Sequence, residues 1–212
     1  MKTETLIHNL AMECEPVKPL GNPLVRFLKW AVATLVILAA GVFILRPDAS
    51  PSVPITPTFL MMTAVMVGVS LTAALSAFIL TVPDVKSRKF YIIVATALAS
   101  WLILVAYLFF TADMSDTHPG YLCIKRIIML SALPSILLFH LLRRAAPLNP
   151  GTVGLLASLG VLLFSNLSVN FVCPNAMTLT AHVLTWHILP VCVLSVFGFF
   201  LGRLIFKWNH LR

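Results

Sequence analysis

The segment FYIIVATALASWLILVAYLFF, residues Phe90–Phe110, runs for 21 residues without a charged side chain. About 20 apolar residues form a helix that spans the roughly 30 Å hydrocarbon layer of a membrane. The segment does not alternate apolar and polar residues in the manner of a barrel strand, so a helix is indicated. Comparable segments are Phe27–Leu45, Phe59–Val82, Ile124–Leu142, Val153–Val172 and His182–Phe206. The sequence therefore predicts an all-α membrane protein with a six-helix transmembrane domain over residues 27–212.

The composition agrees with this class, because 59% of the residues are hydrophobic, 10% are charged and the mean hydropathy is +0.98. The net charge of +8 then indicates orientation rather than direct binding of nucleic acid, since cytoplasmic connectors carry an excess of Lys and Arg. Of the fifteen Lys and Arg residues, only Arg46, Lys125 and Arg126 fall on one side of the predicted bundle. We therefore predict a multi-pass protein with both termini in the cytoplasm.

The predicted spans lack the acidic side chains that chemistry or coupled transport within a membrane usually needs. The spans contain no Asp or Glu, and enzymes or coupled carriers inside a membrane usually need such ionisable groups. The chain also lacks a glycine-rich phosphate loop, an H-E-x-x-H pair and a G-x-S-x-G turn. The sequence therefore predicts that the protein is not an enzyme.

Two prolines lie within predicted spans, Pro134 in the fourth and Pro190 in the sixth. Each removes a backbone donor, so each marks either a packing kink or a hinge that lets its helix respond to a signal. The fifth span also contains small residues that should let neighbouring helices approach closely. These are Gly154, Ala157, Ser158 and Gly160.

The predicted orientation assigns the four cysteines to different places relative to the membrane. Cys14 lies in the cytoplasmic tail and Cys192 within the sixth span, whereas Cys123 and Cys173 lie at the outer ends of their spans. Three interpretations of the outer pair remain open. The pair forms a structural disulfide, it responds to oxidants or soft metals, or it consists of two unrelated packed residues.

Histidines on the same outer side extend the metal interpretation. His118, His182 and His187 could add ligands to a soft metal ion at Cys123 and Cys173, although their spacing matches no standard zinc motif. No other cofactor is expected. The absence of a C-x-x-C sequence argues against a membrane thiol oxidoreductase.

The N-terminal tail, residues 1–26, contains one predicted short helix over Thr3–Glu13 with an apolar stripe and acidic ends. A helix of this length is not stable alone in water, so the stripe must pack on something. It lies along the membrane surface, or it binds an apolar groove on a cytosolic partner. In the second interpretation the contact residues are Glu4, Leu6, Ile7, Leu10 and Glu13.

Short motifs occur in order along the tail and the connectors. They are TETLIHNL and PVKPL in the tail, ILRPD (Ile44–Asp48), Cys123 before the fourth span, LLRRAAPLNPG (Leu141–Gly151), CP (Cys173, Pro174), WHILP (Trp186–Pro190) and GRLIFKW (Gly202–Trp208). Together with six spans, this order resembles the NrsF-like family of bacterial membrane anti-sigma factors over essentially the full length.

The resemblance implies a protein that holds a cytosolic extracytoplasmic-function (ECF) sigma factor at the bacterial inner membrane. It implies release of the sigma factor on an envelope, metal or oxidative signal, with Cys123 and Cys173 as the sensing thiols. The acidic and apolar tail would suit the basic surfaces of a sigma factor. Pro134 and Pro190 would serve as pivots.

A function of another class is a small membrane transporter or metal-permeating protein, with the outer cysteines and histidines as its entry site. The lack of carboxylates in the spans argues against coupled transport. Uptake of a soft metal into proteoliposomes would distinguish this function from regulation.

Overall fold

The computed structural model describes residues 3–13, 20–45, 57–82, 88–113, 119–145, 147–173 and 180–206, which contain helices and no strand. The elements are α1 (Thr3–Glu13), α2 (Pro23–Leu45), α3 (Pro57–Ile79), α4 (Arg88–Thr111), α5 (Tyr121–Arg143), α6 (Pro150–Asn170), α7 (Thr180–Val183), a π-helical turn (Leu184–Ile188) and α8 (Leu189–Ile205). Six stretches are long and apolar enough to cross a membrane, namely α2 to α6 and Thr180–Ile205. The predicted all-α bundle with six spans and a short N-terminal helix is confirmed.

Several helices begin before the apolar segments that predict them. α2 begins at Pro23 rather than at Phe27. α3 and α6 also begin at a proline, Pro57 and Pro150. Proline suits the first turn of a helix, because its missing N–H would have no partner inside the helix there. These three helices are thus longer at their N-terminal ends than the apolar segments from which they are predicted.

α6 lies at the centre of the bundle and contacts α2, α3, α5 and α8. Its spanning segment is 83% buried, compared with 17% for that of α4. A Cβ atom on Gly154 would overlap the backbone of Gly198 and lie 2.6 Å from the Cα of Gly202, both on α8. A Cβ atom on Gly160 would lie 2.9 Å from the backbone nitrogen of Ala74 on α3. The predicted close approach at these small residues is therefore confirmed.

The start of α2 is hydrogen-bonded to the second half of α5. The indole Nε1 of Trp30 donates to the carbonyl of Pro134 at 3.1 Å. One turn earlier, the guanidinium of Arg26 donates to the carbonyl of Leu141. The Cζ of Arg26 also lies 5.4 Å from the ring centroid of Phe78 on α3. These contacts tie the helix that follows the tail to α5.

The sixth span is not a continuous α-helix, because a π-helical turn separates α7 from α8. The N–H of Leu189 donates to the carbonyl of Leu184, five residues earlier instead of four. The next residue, Pro190, has no N–H with which to bond the carbonyl of Trp186 in a regular α-helix. The irregular turn therefore coincides with the proline that the sequence indicates as a kink or a hinge.

Candidate functional site

Cys123 and Cys173 meet at one end of the bundle. Cys123 lies in the first turn of α5, where its N–H bonds the carbonyl of Gly120 at 2.8 Å. Cys173 follows α6, and its N–H bonds the carbonyl of Val169 at 2.9 Å. The two Sγ atoms are 3.1 Å apart, and both thiols are free and buried. The structure thus brings together the two cysteines that the sequence indicates as a pair.

His182 of α7 forms a tripod with the two thiols. Its Nε2 lies 3.6 Å from the Sγ of Cys123 and 3.4 Å from the Sγ of Cys173. Gly120 makes room for this ring, because a Cβ atom there would lie 2.7 Å from the Cε1 of His182 and would overlap Trp186. The three donor atoms therefore sit within direct contact of one another in a buried position.

His187 reaches the same cluster from the π-helical turn. Its ring centroid lies 5.5 Å from that of His182, which is five residues earlier. On an α-helix with 3.6 residues per turn, two residues five apart point in different directions. A π-helical turn bonds residues five apart, so residues at this spacing come onto one face. The irregular turn is what gives both histidines access to the thiols.

The four side chains form a cluster of metal-ligand atoms. One donor atom from each of Cys123, Cys173, His182 and His187 lies within 4.8 Å of the other three. In tetrahedral zinc sites the sulfur and nitrogen donors lie about 2.0–2.3 Å from the ion, which separates them by roughly 3.3–3.8 Å. The tripod distances of 3.1, 3.4 and 3.6 Å are close to that range. These residues could hold a soft or borderline metal ion.

Contacts within the cluster favour a thiolate at Cys173, which lies beyond the end of α6. A hydrogen bond from Cys123 lowers the pKa of Cys173, burial opposes this effect, and the rings of His187 and His182 add to the lowering. The thiolate is the form of cysteine that binds metals and reacts with oxidants. The arrangement can therefore bind a cation or undergo oxidation.

Among the other predicted site residues, those that the structure describes lie apart from this cluster. His118 is outside the described residues. Pro134 is buried within α5 and does not end that helix, whereas Pro190 follows the π-helical turn. On α1, Glu4 is exposed and the side chain of Ile7 is 61% exposed. The side chains of Leu6, Leu10 and Glu13, the other predicted contact residues of α1, lie outside the described part of the structure.

Two asparagines of α6, Asn166 and Asn170, were not among the residues predicted from the sequence, although both are fully buried. The Oδ1 of Asn166 lies 2.9 Å from the Nδ1 of His187. The Nδ2 of Asn170 lies 3.9 Å from the Sδ of Met66. Polar side chains within a span usually face the bundle interior, and residues four apart share a helix face. The four-residue spacing of the two asparagines in the fifth span could therefore have indicated this buried polar face.

One family model, described as NrsF, negative regulator of sigma F, matches residues 10–208 and so covers nearly the whole chain. The match begins at Leu10, so most of α1 precedes it. No curated protein and no solved structure was found to match the chain. In agreement with the motifs of its connectors, the chain belongs to the NrsF family of negative regulators of sigma F.

Proposed function

We propose that the protein holds an ECF sigma factor at the inner membrane and releases it when the outer thiol cluster binds a soft metal or is oxidised. Membership of a family of negative regulators of sigma F supports regulation of a sigma factor. The observation that carries the proposed response to a metal or an oxidant is the buried cluster of Cys123, Cys173, His182 and His187 at one end of the bundle. Such a regulator works by binding, so we propose no catalytic residue.

The tail, residues 1–26, is the proposed site for the sigma factor. An isolated helix of eleven residues is marginal in water, and α1 leaves Ile7 exposed to 61%. A groove on a cytosolic partner would bury this apolar stripe and stabilise the helix. Acidic side chains at both ends of the helix suit a basic partner surface. The proposed contact residues are Glu4, Leu6, Ile7, Leu10 and Glu13.

α5 is the proposed connection between the thiol cluster and the tail. Cys123 lies in its first turn, and its second half accepts hydrogen bonds from Trp30 and Arg26 of α2. A shift of α5 on metal binding or oxidation would move the start of α2, to which the tail is joined. We propose two arrangements of the bundle that differ in the cluster and in the presentation of the tail. Pro134 and Pro190 are the proposed pivots.

The proposal requires the thiol cluster and the tail to lie on opposite sides of the membrane. The excess of Lys and Arg on the side that carries both termini supports a cytoplasmic tail. A reporter active only in the cytoplasm should work when fused to the amino terminus. A reporter active only outside should work when inserted between residues 174 and 179. Activity of both reporters in one compartment would remove the proposed relay.

Co-purification of the sigma factor with the full chain tests the proposed function. The double substitution Leu6→Asp/Leu10→Asp places two charges in the apolar stripe and should abolish capture of the sigma factor. Thr5→Asp is the matched control, because it adds a charge on the opposite face of α1 and should leave capture intact. Equal capture by all three proteins would refute the tail assignment. Uptake of Cd²⁺ into proteoliposomes, with no captured sigma factor, would favour a metal-permeating protein instead.

A further inference from the structure

We infer that Asn166 positions His187 as the fourth ligand of a two-sulfur, two-nitrogen site for a divalent cation that prefers tetrahedral coordination, such as Zn²⁺ or Cd²⁺. This inference rests on the proposed function, because it concerns the same outer cluster. It adds to that function the class of the ion and the role of Asn166, a buried residue near the end of α6.

The contact between Asn166 and His187 sets the tautomer of the imidazole. The Oδ1 of Asn166 lies 2.9 Å from the Nδ1 of His187. An amide oxygen only accepts, so Nδ1 carries the hydrogen and donates it. The lone pair of the ring is then on Nε2. Metal-binding histidines commonly have this arrangement, with one N–H bonded to an oxygen atom and the other nitrogen free for the ion.

The free nitrogen is available to the thiol cluster. A ring nitrogen of His187 lies within 4.8 Å of the donor atoms of Cys123, Cys173 and His182. Because Asn166 occupies Nδ1, Nε2 is the nitrogen left for that contact. In the described part of the chain, Nε2 is buried and forms no hydrogen bond of ordinary geometry, although the ring is close enough to Cys173 to lower the pKa of that thiol. Buried polar atoms without partners are rare in proteins, and an ion among the four donors would satisfy this one.

The donor set selects the class of ion. Two thiolates and two neutral imidazoles supply two negative charges, which balance a divalent cation. Thiolate and imidazole donors suit Zn²⁺ and related soft or borderline ions, whereas Mg²⁺ and Ca²⁺ take oxygen donors. Binding requires both cysteines as thiolates, so any proton that a thiol still carries passes to solvent, and no electrons are transferred. The site therefore fits a cation signal without needing an oxidant.

Titration of the reduced, full-length protein with Co²⁺ in detergent, without a sigma factor, tests the inference. The visible absorption of Co²⁺ reports tetrahedral coordination and thiolate ligands, and competition with Zn²⁺ gives the affinity. Asn166→Leu removes the acceptor at similar volume and should weaken affinity about 10- to 100-fold. Asn166→Asp offers only acceptors and should retain wild-type affinity.

Asn170→Leu is the matched control, because it removes a second buried amide one turn along α6 that contacts Met66 instead. It should leave the affinity for Co²⁺ unchanged. An equal loss in Asn170→Leu, or no loss in Asn166→Leu, would overturn the positioning role. If Asn166→Leu does not fold, His187→Leu decides the question, because loss of a ligand must change the Co²⁺ bands. Unchanged bands would remove His187 from the site.

This experiment separates the inference from the proposed function. A wild-type protein that binds neither Co²⁺ nor Zn²⁺ overturns the cation site, while capture of the sigma factor by the tail is measured independently by co-purification. A protein that binds Zn²⁺ through all four ligands but does not release the sigma factor retains the inferred site. That result would overturn the metal input of the proposed function.

Discussion

The indole nitrogen of Trp30 and the carbonyl oxygen of Pro134 lie 3.1 Å apart, and their hydrogen bond joins the helix after the tail to the helix that carries Cys123. The Trp30 ring is fully buried, with centroid distances of 6.1 Å to Phe27, 6.4 Å to Phe78 and 6.3 Å to Phe164. A hydrogen bond of this kind contributes about 0.5–1.5 kcal/mol, and its loss leaves a buried donor without a partner. The start of α2 therefore cannot move freely relative to α5.

Trp30→Phe tests whether this hydrogen bond transmits the signal. The substitution keeps an aromatic ring in the cluster and removes the donor, which should weaken the α2–α5 contact by about 1 kcal/mol. Basal repression of a sigma-dependent reporter should persist, while its induction by Cd²⁺ falls about fivefold. Trp101→Phe on α4 is the control, since Trp101 is also buried but takes no part in the α2–α5 hydrogen bonds. An equal loss of induction in both variants would contradict a specific relay.

Each of the two clustered cysteines should be needed for the proposed response. Cys123→Ser and Cys173→Ser replace a thiolate by a hydroxyl, which is a poor ligand for soft metals. We expect either substitution to abolish induction of the sigma-dependent reporter by Cd²⁺, with the tail still able to capture the sigma factor. Cys192→Ser is the control, because Cys192 is a half-buried residue of α8 outside the cluster. Induction that survives in both outer variants would eliminate the thiols as sensors.

The parts of this architecture differ in how far the sequence could predict them. Hydropathy located all six spans, because the membrane demands a continuous apolar segment for each of them. It could not identify α6 as the central helix, because lipid-facing and buried surfaces of a span are similarly apolar. Small and polar residues carried that information instead, as Gly154, Gly160, Asn166 and Asn170 illustrate.

The candidate site was predictable in its thiols and less so in its histidines. Cys123 and Cys173 are recognisable because one begins a span and the other follows the next span, which places both on the same side of the bundle. His182 and His187 are five residues apart, which on a regular helix would direct only one of them at the thiols. Their joint access depends on a π-helical turn, and helical periodicity cannot reveal such a turn. Pro190, which follows the turn, was the one local indication of irregularity.

Gly120→Ala should weaken cation binding through a steric effect. The backbone of Gly120, with φ of −121°, is accessible to alanine, so the substitution adds no backbone strain. The new Cβ atom would overlap Trp186 and lie 2.7 Å from the Cε1 of His182, so it should push that ring from the thiols. We expect affinity for Co²⁺ about tenfold lower, a loss within the range found for changes around metal ligands. Gly21→Ala, where a Cβ atom meets nothing within 4 Å, should bind Co²⁺ as the wild type does.

Gly154→Ala should destabilise the bundle. A Cβ atom at Gly154 would overlap the backbone carbonyl of Gly198, and a backbone cannot move aside as a flexible side chain can. Overpacking of this kind costs about 1–3 kcal/mol of unfolding free energy. Gly68→Ala should have the opposite sign, because a Cβ atom there meets nothing within 4 Å and alanine favours a helix by up to about 1 kcal/mol. Denaturation of the purified proteins in mixed detergent measures both changes, and equal stability of the two variants would contradict the packing.

Gly198→Ala tests the same α6–α8 interface from its other side. The added Cβ atom would overlap the side chain of Ser158 on α6, so its cost should depend on that residue. Ser158→Gly removes the overlapping atoms, and the double variant should lose less stability than the sum of the single variants. A coupling energy of about 0.5–3 kcal/mol in this double-mutant cycle is expected for residues in direct contact. Additive losses would mean that α6 and α8 do not approach at these two positions, and the central location of α6 would lose its structural basis.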